Sequence, residues 1–340
     1  MQPPLLTLFL LCALSRNGFN PPCVSTKEAH VLARLAVANG VAGWLLDRLD
    51  ADYPDWPPTK AVRKTLLDAA HVNLSRCAAM TGVIMRISTL LRKNGIEPVI
   101  LKGMALLRDY YPDIAHRSTS DIDLLASGVP ATRIRDVLVS DGAEPIRTRP
   151  NWLDEVRNHL VPMRYRGLMV EVHRNLARYD VGSVSPIVNI DSHVVSAEAF
   201  SSLDAEALFC HLAIHGASHR RRTEVSLKWY VDFAQVIMSR SADPAAFVSR
   251  CLAIAPSAKS DILWAVSIAI PLLPAPVGDK LMAAGFKPVK LTLAAIDATT
   301  MRLWPLRKAF YRVQVLTLSL VEFVKRNVAS FPTNVLKHSN

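Results

Sequence analysis

The feature that most constrains the fold is a break in texture at "NGIEPVILKG", residues 94–103, in a chain that reads as helix on both sides. Upstream, "TKEAHVLARLAVANGVAGWLLDRL" carries apolar residues at helical spacing, and after the break "DADYPDWPP" so do Leu66, Leu67, Val83, Ile84, Ile87, Leu90 and Leu91. One or two helices are expected between Thr59 and Asn94. Asn94-Gly95 then stops the helix, and Pro98-Val-Ile-Leu is a short apolar run with β-branched residues, the pattern of a buried strand. A helix, "GMALLRDYY", follows and ends at Pro112. "DIDLLA" repeats the strand pattern, "PATRIRDVLVSDG" reads as a second helix, and "VPMRYRGLMVEVHRNL" reads as a hairpin turning at Arg166-Gly167.

After Ser196 the helical period returns and runs in amphipathic segments to about Val328. This pattern predicts an α+β protein. A small mixed sheet over residues 96–190 would lie between an N-terminal helical segment, 1–95, and a C-terminal helical domain, 191–340.

Composition limits the partners. Half the 340 residues are apolar and a fifth are charged, an ordinary globular balance. The net charge of +11 gathers at Arg220 to Arg222 and in the last 55 residues, which fits either an anionic partner or a plain basic surface. Aromatics do not interleave with these clusters as a base-stacking platform would, so nucleic acid is not the expected partner. The five cysteines are dispersed, odd in number and without metal-ligand spacing, which suggests a reduced, cytoplasmic chain.

Two apolar stretches bear on membranes. Leu5 to Leu14 follows two prolines and no basic residue, and is expected to be a buried helix rather than a processed leader. "ILWAVSIAIPLLPAPV" falls short of the ~20 residues a span needs and holds three prolines, so no transmembrane helix is expected.

The chemistry concentrates in "VILKGMALLRDYYPDIAHRSTSDIDLLAS". On a strand, Asp121 and Asp123 point to one face while Ile122 and Leu124 point to the other. Two carboxylates so placed repel unless a cation lies between them, and hard divalent ions prefer oxygen ligands. Similar triplets at Asp50 to Asp52 and Asp204 to Glu206 lie in a Pro-rich loop and at a helix start, without the apolar strand around "DIDLL".

Glu171, between Val170 and Val172, offers a third carboxylate from a second strand, or else is a polar residue on a wet sheet face. Lys102-Gly103 joins a strand to a helix, where free N–H groups, a positive side chain and close backbone approach suit a phosphate. Arg117, beside Ser118, Thr119 and Ser120, can pair with a phosphate or neutralise the aspartates. His211, His215 and His219 fall on one helical face, as zinc ligands can, but no nearby carboxylate or cysteine completes a set. A packed or substrate-facing helix surface is the preferred reading there. His159 and His173 are further candidates for the cleft, His173 sharing a face with Glu171.

The combination "LKGMAL…YYPDIAHRSTSDIDLL…VEVH" resembles the uncharacterised nucleotidyltransferase family of the DNA polymerase β-like nucleotidyltransferase superfamily. "LFCHLAIHGASHRRRTEVSLKWYVDFAQVI" resembles that family's helical arm, with Trp229 and Asp232 in a Trp-x-x-Asp helix, and the likeness spans roughly residues 25–275.

The resemblance implies a Mg²⁺- or Mn²⁺-dependent nucleotidyltransferase that moves a nucleoside monophosphate from an NTP to a hydroxyl or phosphate. The acceptor would be a small molecule, a peptide natural product or a protein. Asp121, Asp123 and Glu171 would hold the metal and carry catalysis, with Glu171 also a candidate general base. Lys102, Gly103, Arg117 and Ser120 would bind the nucleotide. His173, His215, Arg220, Trp229 and Asp232 are candidates for holding the acceptor or supporting the site. The wider superfamily usually has Gly-Ser or Gly-Gly at the phosphate turn, whereas this chain has Gly103-Met104, without the hydroxyl. The alternative reading is a non-catalytic nucleotide- or partner-binding module of the same fold, in a biosynthetic or toxin–antitoxin system.

Overall fold

Two helices open the described chain, α1 (Thr26–Ala38) and α2 (Ala42–Asp52), and both pack on α3 (Lys60–Lys93). The computed structural model describes residues 25–52, 59–147, 158–176, 186–221 and 226–288. The expected helix at Leu5 to Leu14, the Pro-rich break at 53–58, Arg222 and the amphipathic segments beyond 288 lie outside them.

Local chemistry sets the helix starts. Ser25 caps α1 in a reciprocal box with Glu28, and the Thr59 hydroxyl accepts from the Val62 amide at the start of α3. The interval from Thr59 to Asn94, expected as one or two helices, is a single helix of 34 residues. No Gly or Pro interrupts it except Gly82, which faces open space. By length and apolar content α3 could cross a membrane, as could the pair at 244–254 and 256–272, which is bent by 110°. In the fold, α3 lays Leu66, Cys77, Ile84 and Leu91 into the core and carries Lys64, Asp68 and Arg92 on its exposed side.

The sheet begins at β1 (Val99–Leu101), all three residues buried. It continues through α4 (Lys102–Asp109), β2 (Asp121–Leu125), α5 (Ala131–Ser140), β3 (Glu144–Pro145), β4 (Met163–Tyr165) and β5 (Leu168–His173). The strands lie in the order β1-β2-β5-β4-β3, with β2 and β5 parallel and the other neighbours antiparallel. The hairpin turns where expected: Arg166 and Gly167 take φ of 50° and 82°, as a two-residue turn of the primed type requires.

A second, two-stranded sheet pairs β6 (Val194–Val195) with β7 (Ser202–Leu203). Its chain covers the outer edge of β1, with Ile100 donating to Ser201 at 2.8 Å and Ser201 to Pro98 at 2.9 Å. The helical arm is α6 (Ala205–Arg221), α7 (Leu227–Met238), α8 (Pro244–Ile254), α9 (Lys259–Ala269) and α10 (Ala275–Ala283). One contiguous core runs from Ala29 through the sheet to Leu281.

Candidate functional site

Pairing between β2 and β5 brings the carboxylates together. Asp123 lies opposite Glu171 on the neighbouring parallel strand, so both leave the same face of the sheet. Ile122 and Leu124, on the opposite face, are fully buried. His173, two residues on from Glu171, keeps that face, and its Nε2 donates to Asp123 Oδ1 at 2.8 Å. Asp123, Glu171 and His173 each offer a ligand atom, all within 4.8 Å of one another.

Lys102 completes this group. Leu101 pairs with Asp123 across β1 and β2, so the next residue emerges beside the carboxylate. There Lys102 adopts a left-handed φ of 48°, and its Nζ donates to Asp123 Oδ1 at 2.9 Å. Burial disfavours the Asp123 anion, but the Lys102 ammonium and His173 outweigh burial and hold its carboxyl far below the usual aspartate range. Glu171 moves the other way, pushed up by burial and then by the Asp123 charge. The two strand neighbours therefore differ in protonation tendency.

This floor belongs to a cleft of about 390 Å³. Asp121 and Ser120 line it too, the Ser120 hydroxyl donating to Asp121 at 3.1 Å. Asp121 stands outside the tight group of Asp123, Glu171 and His173. The helical wall presents His211, His215, His219 and Trp229. His219 and Trp229 lie 4.6 Å apart between ring centres, and His215 meets Trp229 edge-on at 5.8 Å. Burial, then the Lys102 charge, pushes His211 and His215 well below the usual histidine value, which favours their neutral forms. Neither ring nitrogen of His211 has a hydrogen-bond partner among the described residues.

Other expected site residues serve different ends. Arg117 turns away from the aspartates and grips Asp232 of α7 through two bonds, at 2.7 and 2.9 Å. The Tyr111 hydroxyl donates to the same carboxylate at 2.7 Å. Asp232 is completely buried. Gly103 lines the cleft and is packed closely against protein: a Cβ there would lie 2.2 Å from Thr119 Oγ1. Met104 is buried and adds nothing polar to the turn. Arg220 leaves the cleft and covers the ring of Trp264 at 5.3 Å.

Sequence reasoning passed over Asn158, Asn175 and Lys228 and gave Thr119 no role beside Arg117, and all four line the cleft. The signal for Lys228 was its place as the one charge ahead of Asp232 in the apolar run "LKWYVD".

Acids on adjacent strands under a helical roof make this an α+β protein with a group that could hold a metal ion in its cleft. A family model described as uncharacterised nucleotidyltransferase matches residues 25–256, and the chain belongs to that family. No significant match is found among curated proteins or among solved structures.

Proposed function

We propose that the protein is a divalent-metal-dependent nucleotidyltransferase that moves a nucleoside monophosphate from an NTP to a hydroxyl or phosphate of a small-molecule, peptide or protein acceptor. The observation that carries this reading is the register pairing of Asp123 with Glu171, with His173 within ligand distance of both. The donor set fits the ion such a reaction uses: two carboxylates suit Mg²⁺, and the imidazole nitrogen makes Mn²⁺ equally acceptable. Asp123, Glu171 and His173 would hold the ion, with Asp121 lining the same cleft. When bound, the metal supplies charge stabilisation for the attacking and leaving oxygens.

The chain's own residues do the rest. Glu171, with its raised proton affinity, is the group suited to take the proton from an acceptor hydroxyl. Lys102 neutralises Asp123, and the rings of His215, His219 and Trp229 form one wall of the cleft.

The test is to supply labelled NTPs with Mg²⁺ or Mn²⁺ and a lysate as acceptor source, and to follow pyrophosphate release and the labelled product. Asp123→Asn and Glu171→Gln are each expected to abolish transfer, and undiminished turnover in either would sink the assignment. One observation favours the non-catalytic module instead: Asp123 Oδ1 already receives both Lys102 and His173. NTP binding without pyrophosphate release in the intact protein would decide for that reading.

A further inference from the structure

Three cations line the cleft among the described residues, Lys102, Arg117 and Lys228. Two are already neutralised, Lys102 by Asp123 at 2.9 Å and Arg117 by the buried fork of Asp232. Lys228 has neither an ion-pair partner nor a side-chain hydrogen bond among the described residues. Its position is nevertheless built. The Leu227 amide donates to Asn39 Oδ1 at 3.0 Å and the Ser226 hydroxyl to the Asn39 carbonyl at 3.2 Å, which ties the start of α7 to the end of α1. The Lys228 stem lies over Gly40, where an added Cβ would come within 3.2 Å of its Cδ.

Among the described residues no carboxylate touches this half-buried ammonium: Asp232, Asp121 and Asp123 attract it only from a distance, and burial and the neighbouring Arg117 guanidinium oppose its charge. Burial, then Arg117, pushes Lys228 below the ordinary lysine value. A fold that anchors such a group at a cleft wall leaves its charge to be met by a ligand. A simple carboxylate ligand would face Asp121, Asp123 and Glu171 across the same cleft and be repelled. A polyphosphate escapes this, because a divalent cation can bridge it to those carboxylates while the ammonium takes its remaining charge.

We propose that Lys228 is the phosphate-gripping cation of this cleft, taking the polyphosphate of a nucleotide, and that Lys102 and Arg117 are committed to the protein. The assignment rests on the nucleotidyl-transfer reading for the nucleotide, but the anion site itself can be measured apart from it.

The experiment titrates the full chain calorimetrically with inorganic triphosphate and with each NTP, in Mg²⁺, for wild type, Lys228→Met and Lys228→Arg. Methionine keeps the stem over Gly40 and removes the charge. The expected result is a loss of at least about tenfold in triphosphate affinity for Lys228→Met, with Lys228→Arg retaining most of it. The melting temperature of Lys228→Met should equal or exceed that of wild type, since an unmatched charge has gone. Undiminished triphosphate binding by Lys228→Met overturns the proposal, as does a lost affinity accompanied by a lowered melting temperature. Lys228-dependent binding of inorganic triphosphate by a protein that releases no pyrophosphate from any NTP leaves the anion site standing and removes nucleotidyl transfer. A wild type that binds neither triphosphate nor any NTP overturns both.

Discussion

At the scale of single residues, the site is a balance between two acids that the fold treats oppositely. Asp123 is held as an anion by Lys102 and His173, whereas Glu171 is pushed toward the protonated form by burial and the Asp123 charge. The sign of the pH effect follows. A carboxyl whose value is raised on folding binds its proton more tightly in the native than in the unfolded state, so its contribution to stability falls as pH rises. That fall starts in the ordinary glutamate range and is complete above the raised native value. Asp123, lowered on folding, contributes stability that is lost only on acidification below the ordinary aspartate range, so the two windows separate. Glu171's part of the urea midpoint of the metal-free protein is therefore expected to fall as pH rises from the ordinary glutamate range, opposite to His211 and His215, whose lowered values add stability as pH rises. Glu171→Gln should flatten that part of the profile, and an identical slope in the variant would show that another group is responsible. Much of this was legible in the strands "DIDLL" and "VEVH", because a two-residue period fixes which side chains share a face. The register that sets Asp123 beside Glu171 was not, since it depends on how β2 and β5 align after a long excursion through α5 and the β3–β4 segment.

At the scale of elements, the loop between α4 and β2 is the joint of the molecule. Asn73 of α3 donates to the carbonyls of Ile114 and Arg117 at 3.0 and 2.8 Å, while Arg117 reaches across to α7. Removing the buried carboxylate should leave the guanidinium uncompensated. Asp232→Ala is expected to lower stability by about 3–5 kcal/mol, whereas Arg117→Met with Asp232→Leu should recover most of the loss. Urea unfolding of the single and double variants measures this, and equal losses in both would rule out an unpaired charge as the cause. Sequence reading left Arg117 open between a phosphate and the aspartates because its true partner is 115 residues away. The same loop explains Gly103. Gly103→Ala would drive a methyl into Thr119 Oγ1, and Thr119→Ala in the same chain removes that oxygen. Thermal unfolding is expected to show a loss for Gly103→Ala that the second substitution partly restores. A glycine kept only for phosphate approach would show no such rescue.

At the scale of the whole molecule, the N-terminal helices, sheet and helical arm share a single core, and the cleft is lined by groups from the sheet region and the arm while the end of α1 braces α7. Lys102 comes from the β1–α4 junction, Glu171 from the hairpin, Trp229 from α7, and the seat of α7 on Asn39 belongs to α1. Helical period and strand texture predicted these three regions in order, but could not say that they would bury one another, because contacts between elements leave no periodic trace in a chain. A shared core predicts a single cooperative transition, with far-UV and near-UV signals melting together. Ligands that bind only the assembled cleft then stabilise the whole of it. A metal ion and a non-hydrolysable NTP, present at about a hundred times their dissociation constants, are expected to add roughly 2.7 kcal/mol each to the unfolding free energy. The metal-dependent part should disappear with a chelator and in Asp123→Asn, while the two optical probes remain coincident. A ligand that shifted only one probe would show that the helical arm unfolds apart from the sheet, and that the cleft is not a product of the single core.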